Sequence, residues 1–127
     1  MMAAADRTNE ASRHLPLSPR VFQILISLAD GPRHGYAVIQ EIAERTDGEI
    51  RLTASTLYDA LTRLVDQEWI EEVPAPADAD GHDSRRRYYR LSEFGREVAR
   101  REALRLEQVL ESAREKRLLP ERERARK

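Results

Sequence analysis

The sequence predicts an α+β domain, mainly α, followed by a helix too long for so small a domain to cover. Three observations carry this. Three short segments with helical apolar stripes and their own cap signals lie within residues 17–66. Two β-rich runs, 69–73 and 85–91, bracket a stretch of Pro, Ala, Asp and Gly with no period. From Ser92 a single apolar stripe then runs without a proline as far as Pro120.

The first helix starts at Ser18-Pro19, an N-cap followed by the residue best suited to the first helical position, and Gly31-Pro32 closes it. Val21, Phe22, Ile24, Leu25, Ile26 and Leu28 leave it apolar on more than one side, so more than one neighbour must cover it. His34-Gly35-Tyr36 opens a second helix, with Ile39, Ile42 and Ala43 on one stripe and Asp47-Gly48 as its stop. Residues 49–52 alternate like a short strand. Thr53 caps a third helix whose stripe is Leu57, Leu61, Leu64 and Val65. The β-rich runs follow, the second placing Arg87, Tyr89 and Leu91 on one face and Arg86, Tyr88 and Arg90 on the other. Residues 74–84 between them read as a long hairpin loop. Helices joined by a turn and followed by a β-hairpin have the layout of a winged helix-turn-helix. Ser92 then caps the last helix, where Ala99, Ala103, Leu106, Leu110 and Ala113 are spaced 4, 3, 4, 3. Extending to about Leu118, it would reach about 38 Å.

At 127 residues the chain holds one domain. With 35% of residues charged, its core is lean, so part of it should be tail or should bury apolar surface on another subunit. The expected division is a disordered tail over 1–14, a winged helix-turn-helix over 15–91, a dimerisation helix over 92–119 and a charged tail over 120–127. Without cysteine there is no disulfide, thiolate metal site or Cys nucleophile. No apolar run approaches the roughly 20 residues of a membrane span. No signal-type segment opens the chain, and a cytoplasmic location without membrane contact is expected. The net charge of -1 hides a segregation. Residues 15–73 hold five basic and ten acidic side chains, whereas residues 92–127 hold eleven basic and eight acidic ones.

Taken together, these residues resemble the PadR family of bacterial transcriptional regulators. The resemblance rests on the first helix ending in Gly31-Pro32 with His34-Gly35-Tyr36 after it, on Ser55-Thr56-Leu57-Tyr58 with Ala60-Leu61 and Arg63-Leu64, on Trp69-Ile70, and on Arg87-Tyr88-Tyr89-Arg90-Leu91 with Gly95-Arg96. It covers residues 17–100, and the single helix after the wing is similar to the family's shorter branch. Glu68 stands where the family usually has a glycine, and Asp59 where a proline or small residue is commoner. The resemblance implies a homodimeric regulator that binds double-stranded operator DNA. Relatives that bind flat aromatic compounds between subunits use a tryptophan on the last helix; this last helix has none, so a small-molecule effector would be held in another way.

With Leu57 at the centre of the buried face, Ser55, Asp59, Thr62 and Asp66 point away from the core. Thr56 and Arg63 fall on one flank and Tyr58 on the other. The N-terminal part of such a helix enters the major groove, where hydroxyls and Arg63 can meet phosphates or base edges; a plain solvated face is the simpler alternative. Asp59 can accept a bond from cytosine N4 or complement the helix dipole. His34, Gly35 and Tyr36 are expected beside the DNA, as are Arg85, Arg86 and Arg87 at the return of the loop, which can meet the backbone or the minor groove or pair with Asp78, Asp80 and Asp83. An interface between two copies is expected at Val21, Phe22, Leu25, Ala99, Ala103, Leu106, Leu110 and Ala113. A calcium reading of residues 78–89 fails because Tyr89 stands where a bidentate glutamate belongs. No metal, cofactor or catalytic residue is expected: no nucleophile-base pattern or glycine-rich phosphate loop is present. The expected function is a DNA-binding repressor acting on an inverted-repeat operator and released by an effector. A winged-helix module that binds protein and not DNA is the alternative, favoured by the acidic middle of the chain.

Overall fold

The computed structural model describes residues 9–120. Helix α1 (Pro19–Ser27) starts where the Ser18 hydroxyl accepts the Val21 N–H at 3.2 Å. Ile24, Leu25 and Leu28 are buried, while Val21, Phe22 and Ile26 are half-buried. Strand β1 (Arg33–His34) leads directly into α2 (Gly35–Arg45), with Val38 and Ile42 inside. Helix α3 (Ala54–Asp66) buries Leu57, Ala60, Leu61 and Leu64. Strands β2 (Ile70–Val73) and β3 (Tyr88–Leu91) follow, with a 3-10 turn (Gly81–Arg85) in the wing between them. Helix α4 (Glu93–Glu115) ends the described fold.

The sheet has order β1-β3-β2, both pairs antiparallel, with His34 opposite Tyr88 and Ile70 opposite Leu91. This differs from the sequence expectation in three places. Residues 49–52 form no strand; Ile50 and Leu52 anchor the loop to the core, and burial of every second residue mimics a strand's period. The third strand is instead the two-residue β1, too short to leave a period of its own. At the wing's return, Arg85 closes the 3-10 turn and the strand begins only at Tyr88.

Residues 9–12, expected to be part of a disordered tail, form a helical turn whose Ala11 is fully buried, and His14 stands edge-on to Trp69 at 5.0 Å. The apolar Ala11, Leu15 and Leu17 give this short segment a core to join. The remainder of that expected tail, 1–8, and all but Pro120 of the charged tail lie outside the described residues.

Helix α4 is seated on the domain by Gly95, where a Cβ would overlap the Trp69 carbonyl oxygen. Ser92 reinforces the contact, its backbone N–H donating to Trp69 O at 3.0 Å and its hydroxyl to Glu68 O at 2.6 Å. Further along, Glu102 is 2% exposed, which a sequence reading of alternating Arg and Glu does not foresee. Its carboxylate accepts the Leu17 backbone N–H at 3.0 Å and two bonds from Arg105, at 2.6 and 3.1 Å. Three acceptor bonds satisfy the buried charge.

Candidate nucleic-acid interface

Thr53 fixes the start of α3 by accepting the Thr56 N–H at 3.1 Å, and its own hydroxyl donates to Thr56 Oγ1 at 3.0 Å. Thr56 is therefore occupied within the cap, while Ser55 beside it is exposed. Along the outer face Asp59 and Thr62 are exposed as well, and the Thr62 hydroxyl donates back to Tyr58 O at 2.9 Å. Arg63 sits on the flank that faces α1, and Tyr58 on the flank that faces the start of α2. Tyr58 is 41% exposed and its ring lies over Gly35, so a Cβ at residue 35 would stand 2.6 Å from its hydroxyl oxygen. Gly35 is thus placed beside Tyr58 and acts by leaving room for its ring.

The wing is tied to this surface through His34. Its Nδ1 accepts the Ala37 N–H at 3.1 Å, which leaves the proton of the neutral ring on Nε2, 3.5 Å from Asp83 Oδ1. Burial is the main reason the His34 pKa is lowered; nearby Arg86 adds to this and Asp83 opposes it. His34 also stands edge-on to Tyr88, with ring centres 5.4 Å apart. Asp83 lies 3.3 Å from Arg86 Nε, an ion pair without hydrogen-bond alignment, and the Arg86 guanidinium is 5.2 Å from the Tyr36 ring centre. The three arginines therefore divide. Arg86 is half-buried and braces the wing, whereas Arg85 and Arg87 are exposed. The Arg87 guanidinium lies at the Tyr89 hydroxyl, whose pKa burial raises and Arg87 partly lowers again.

His34, Gly35, Tyr36, Tyr58, Arg86 and Arg87 are thus brought to one seam between α2, α3 and the wing. Ser55 and Thr62 share the open helix face, and Arg63 stands apart from the wing. Asp83 and Tyr89, which organise the seam, were not among the sequence candidates for contact; Asp83 read only as a countercharge in a loop. Of the expected interface residues, Leu25 is wholly inside this chain's own core and cannot meet a second copy. Val21 packs partly on the same core, Phe22 is half-buried, and Ala99 lies against it from α4. Ala103 and Leu110 are exposed, with Leu106 and Ala113 half-buried. Val109, outside the expected stripe, is 53% exposed. Among the described residues no group of three His, Cys, Asp or Glu side chains can hold a metal, and no helix is long and apolar enough to cross a membrane.

The family model of the PadR-like transcriptional regulators matches residues 24–101, more than half of the chain. The chain belongs to this family. The match runs from the middle of α1 through the wing into α4 and so contains the whole seam. An uncharacterised protein of Lysinibacillus sphaericus is 33% identical to this PadR-like chain over 73 residues, 58% of this chain and 64% of that one. An uncharacterised 37.1 kDa protein in transposon TN4556 of Streptomyces fradiae is 40% identical over 80 residues, 63% of this chain and 21% of that one. The chain spans less than two thirds of the length of either curated relative. Among solved structures, a PadR family regulator of Clostridium difficile is similar with a TM-score of 0.62 at 21% identity, covering 75% of this chain and 94% of that one. A transcriptional regulator of Clostridium thermocellum gives 0.59 at 19%, covering 91% and 97%. RosR of H. salinarum gives 0.57 at 23%, covering 78% and 79%. At these identities the likeness is one of fold, a winged helix-turn-helix with a long last helix.

Proposed function

We propose that this PadR-like chain is a sequence-specific DNA-binding repressor that works as a homodimer in the cytoplasm. Each copy places α3 in the major groove of one half of an inverted-repeat operator and its wing on the backbone or minor groove, and an effector releases it. The observation that carries this reading is the outer face of α3. Its Ser55 and Thr62 stand exposed between the flanks of Arg63 and Tyr58, and Arg85 and Arg87 are exposed on the wing. Small hydroxyl side chains let a helix approach base edges closely, and flanking arginines neutralise phosphates. Pairing is supported by α4, where Leu106, Val109, Leu110 and Ala113 continue one side of the helix past the domain's own cover. A gel shift with the DNA upstream of the protein's own gene, at two salt concentrations, tests the proposal. Saturable, salt-sensitive binding that survives random competitor DNA is expected. Asp59 and Asp66, exposed on the same face, favour the protein-binding alternative, and absence of any shift at low salt would decide for it.

A further inference from the structure

Beside helix α3 lies a cleft to which neither the seam with the wing nor the apolar side of α4 assigns a use. Between α1, the 50–52 loop and α3 is an open cavity of about 440 Å³, whose buried walls are Ile24, Leu52 and Ala60. It shares Ser18, Val21, Ala60 and Arg63 with a second hollow of about 210 Å³ that ends on Trp69. Arg20 and Arg63 both line the larger cavity, and neither has a partner among the described residues. Residues 15–73 carry ten carboxylates, yet among the described residues no Asp or Glu lines either hollow. In the most acidic part of the chain, both charges that the described residues offer to the cleft are positive.

We infer that this cleft binds a small organic anion, a carboxylate on an apolar body of roughly ten carbons, a size suited to pockets of a few hundred Å³. The aliphatic walls take the body. The unpaired guanidiniums, matched in geometry to a carboxylate, take the head. Because Arg63 also stands on the flank of the DNA-facing helix, holding the carboxylate withdraws it from DNA, so the anion opposes DNA binding. This second step rests on the DNA-binding reading above; the anion site does not.

Decanoate, kept below its micellar concentration and titrated into DNA-free protein, tests the site. Saturable binding is expected, with amide shifts at Val21, Leu52 and Ala60 and a change in emission from Trp69, the only tryptophan. Arg20→Gln should weaken decanoate about tenfold while leaving 1-decanol unchanged. No saturation, equal affinity for decanoate and decanol, or shifts confined to α4 would overturn the assignment. In a second arm decanoate should lower affinity for the upstream DNA, and DNA should lower affinity for decanoate by the same factor. DNA binding that decanoate leaves unchanged overturns the coupling alone. If the protein binds no DNA, the functional reading falls while the first arm still decides the site.

Discussion

Tyr58 and Arg63 occupy opposite flanks of one helix, and their surroundings predict different losses. The Tyr58 hydroxyl lies over Gly35 at the N-terminus of α2, where backbone N–H groups and the helix dipole favour a phosphate. Tyr58→Phe should cost about 1 kcal/mol of DNA affinity, evenly across sequences. Arg63, with five donors and no partner among the described residues, should lose about 1–3 kcal/mol on change to alanine, mainly on the specific operator. An operator series with single base changes separates the two; equal loss on every sequence for Arg63→Ala would remove its base-reading role. Glu102 makes a different residue-scale prediction. The bonds from Arg105, followed by that from the Leu17 N–H, hold its carboxyl below the ordinary 4.5, against the opposing effect of burial. A folded value below the unfolded one gives stability that is complete above 4.5 and fades as pH falls through the lowered value. Arg105 is itself more than a third exposed, so solvent screens part of the gain. Glu102→Gln should cost about 1–2 kcal/mol at neutral pH. Urea midpoints at pH 7 and pH 3 should show the wild type losing more on acidification than the variant.

Helix ends show which elements can be read locally. Ser18, Thr53 and Ser92 all cap as their positions in the sequence suggest, because an N-cap needs only its own next turn. The C-terminal ends are less legible. Asp47, Glu68 and Arg117 all take left-handed φ, at 51°, 64° and 62°, where glycine is the usual choice. At α3 the pattern is complete, with Trp69 N–H donating to Leu64 O and Glu68 N–H to Val65 O, both at 2.9 Å. The glycine expected of the family is therefore missing in composition but not in conformation. Glu68→Gly should stabilise the fold by about 1 kcal/mol, raising the thermal midpoint without changing DNA affinity. The wing was legible as a loop with arginines at its return, but not the division among them, which depends on Asp83 meeting His34 from another element. Replacing Arg85 and Arg87 with glutamine should flatten the log-log salt dependence of DNA binding by up to about two units, one for each phosphate released. An unchanged slope would place both away from DNA. Strand β1 could not be read at all, since two residues become a strand only through pairing with Tyr88 and Tyr89.

Over the whole molecule, α4 changes role along its length. Gly95, Val98 and Glu102 face the domain, and the same side continues as Leu106, Val109 and Leu110 where the domain no longer covers it. A heptad stripe read from the sequence found the late part of this side but included Ala99, which lies on the chain's own core, and omitted Val109. Periodicity shows which residues share a side, not which body covers each turn. Leu106→Glu combined with Leu110→Glu should give monomers in sedimentation and weaken operator binding, because two half-sites are then no longer held by one particle. A variant that stays dimeric would place the interface elsewhere. Glu102 was equally hidden, since its partner N–H at Leu17 lies 85 positions away. That bond joins the segment entering α1 to the helix proposed to meet the second copy. In such a dimer it acts as a stiffener at the joint between reading head and shaft, limiting how far the two heads swing apart. The tolerated distance between operator halves is then a mechanical property, and a softer joint accepts DNA sites of more than one spacing.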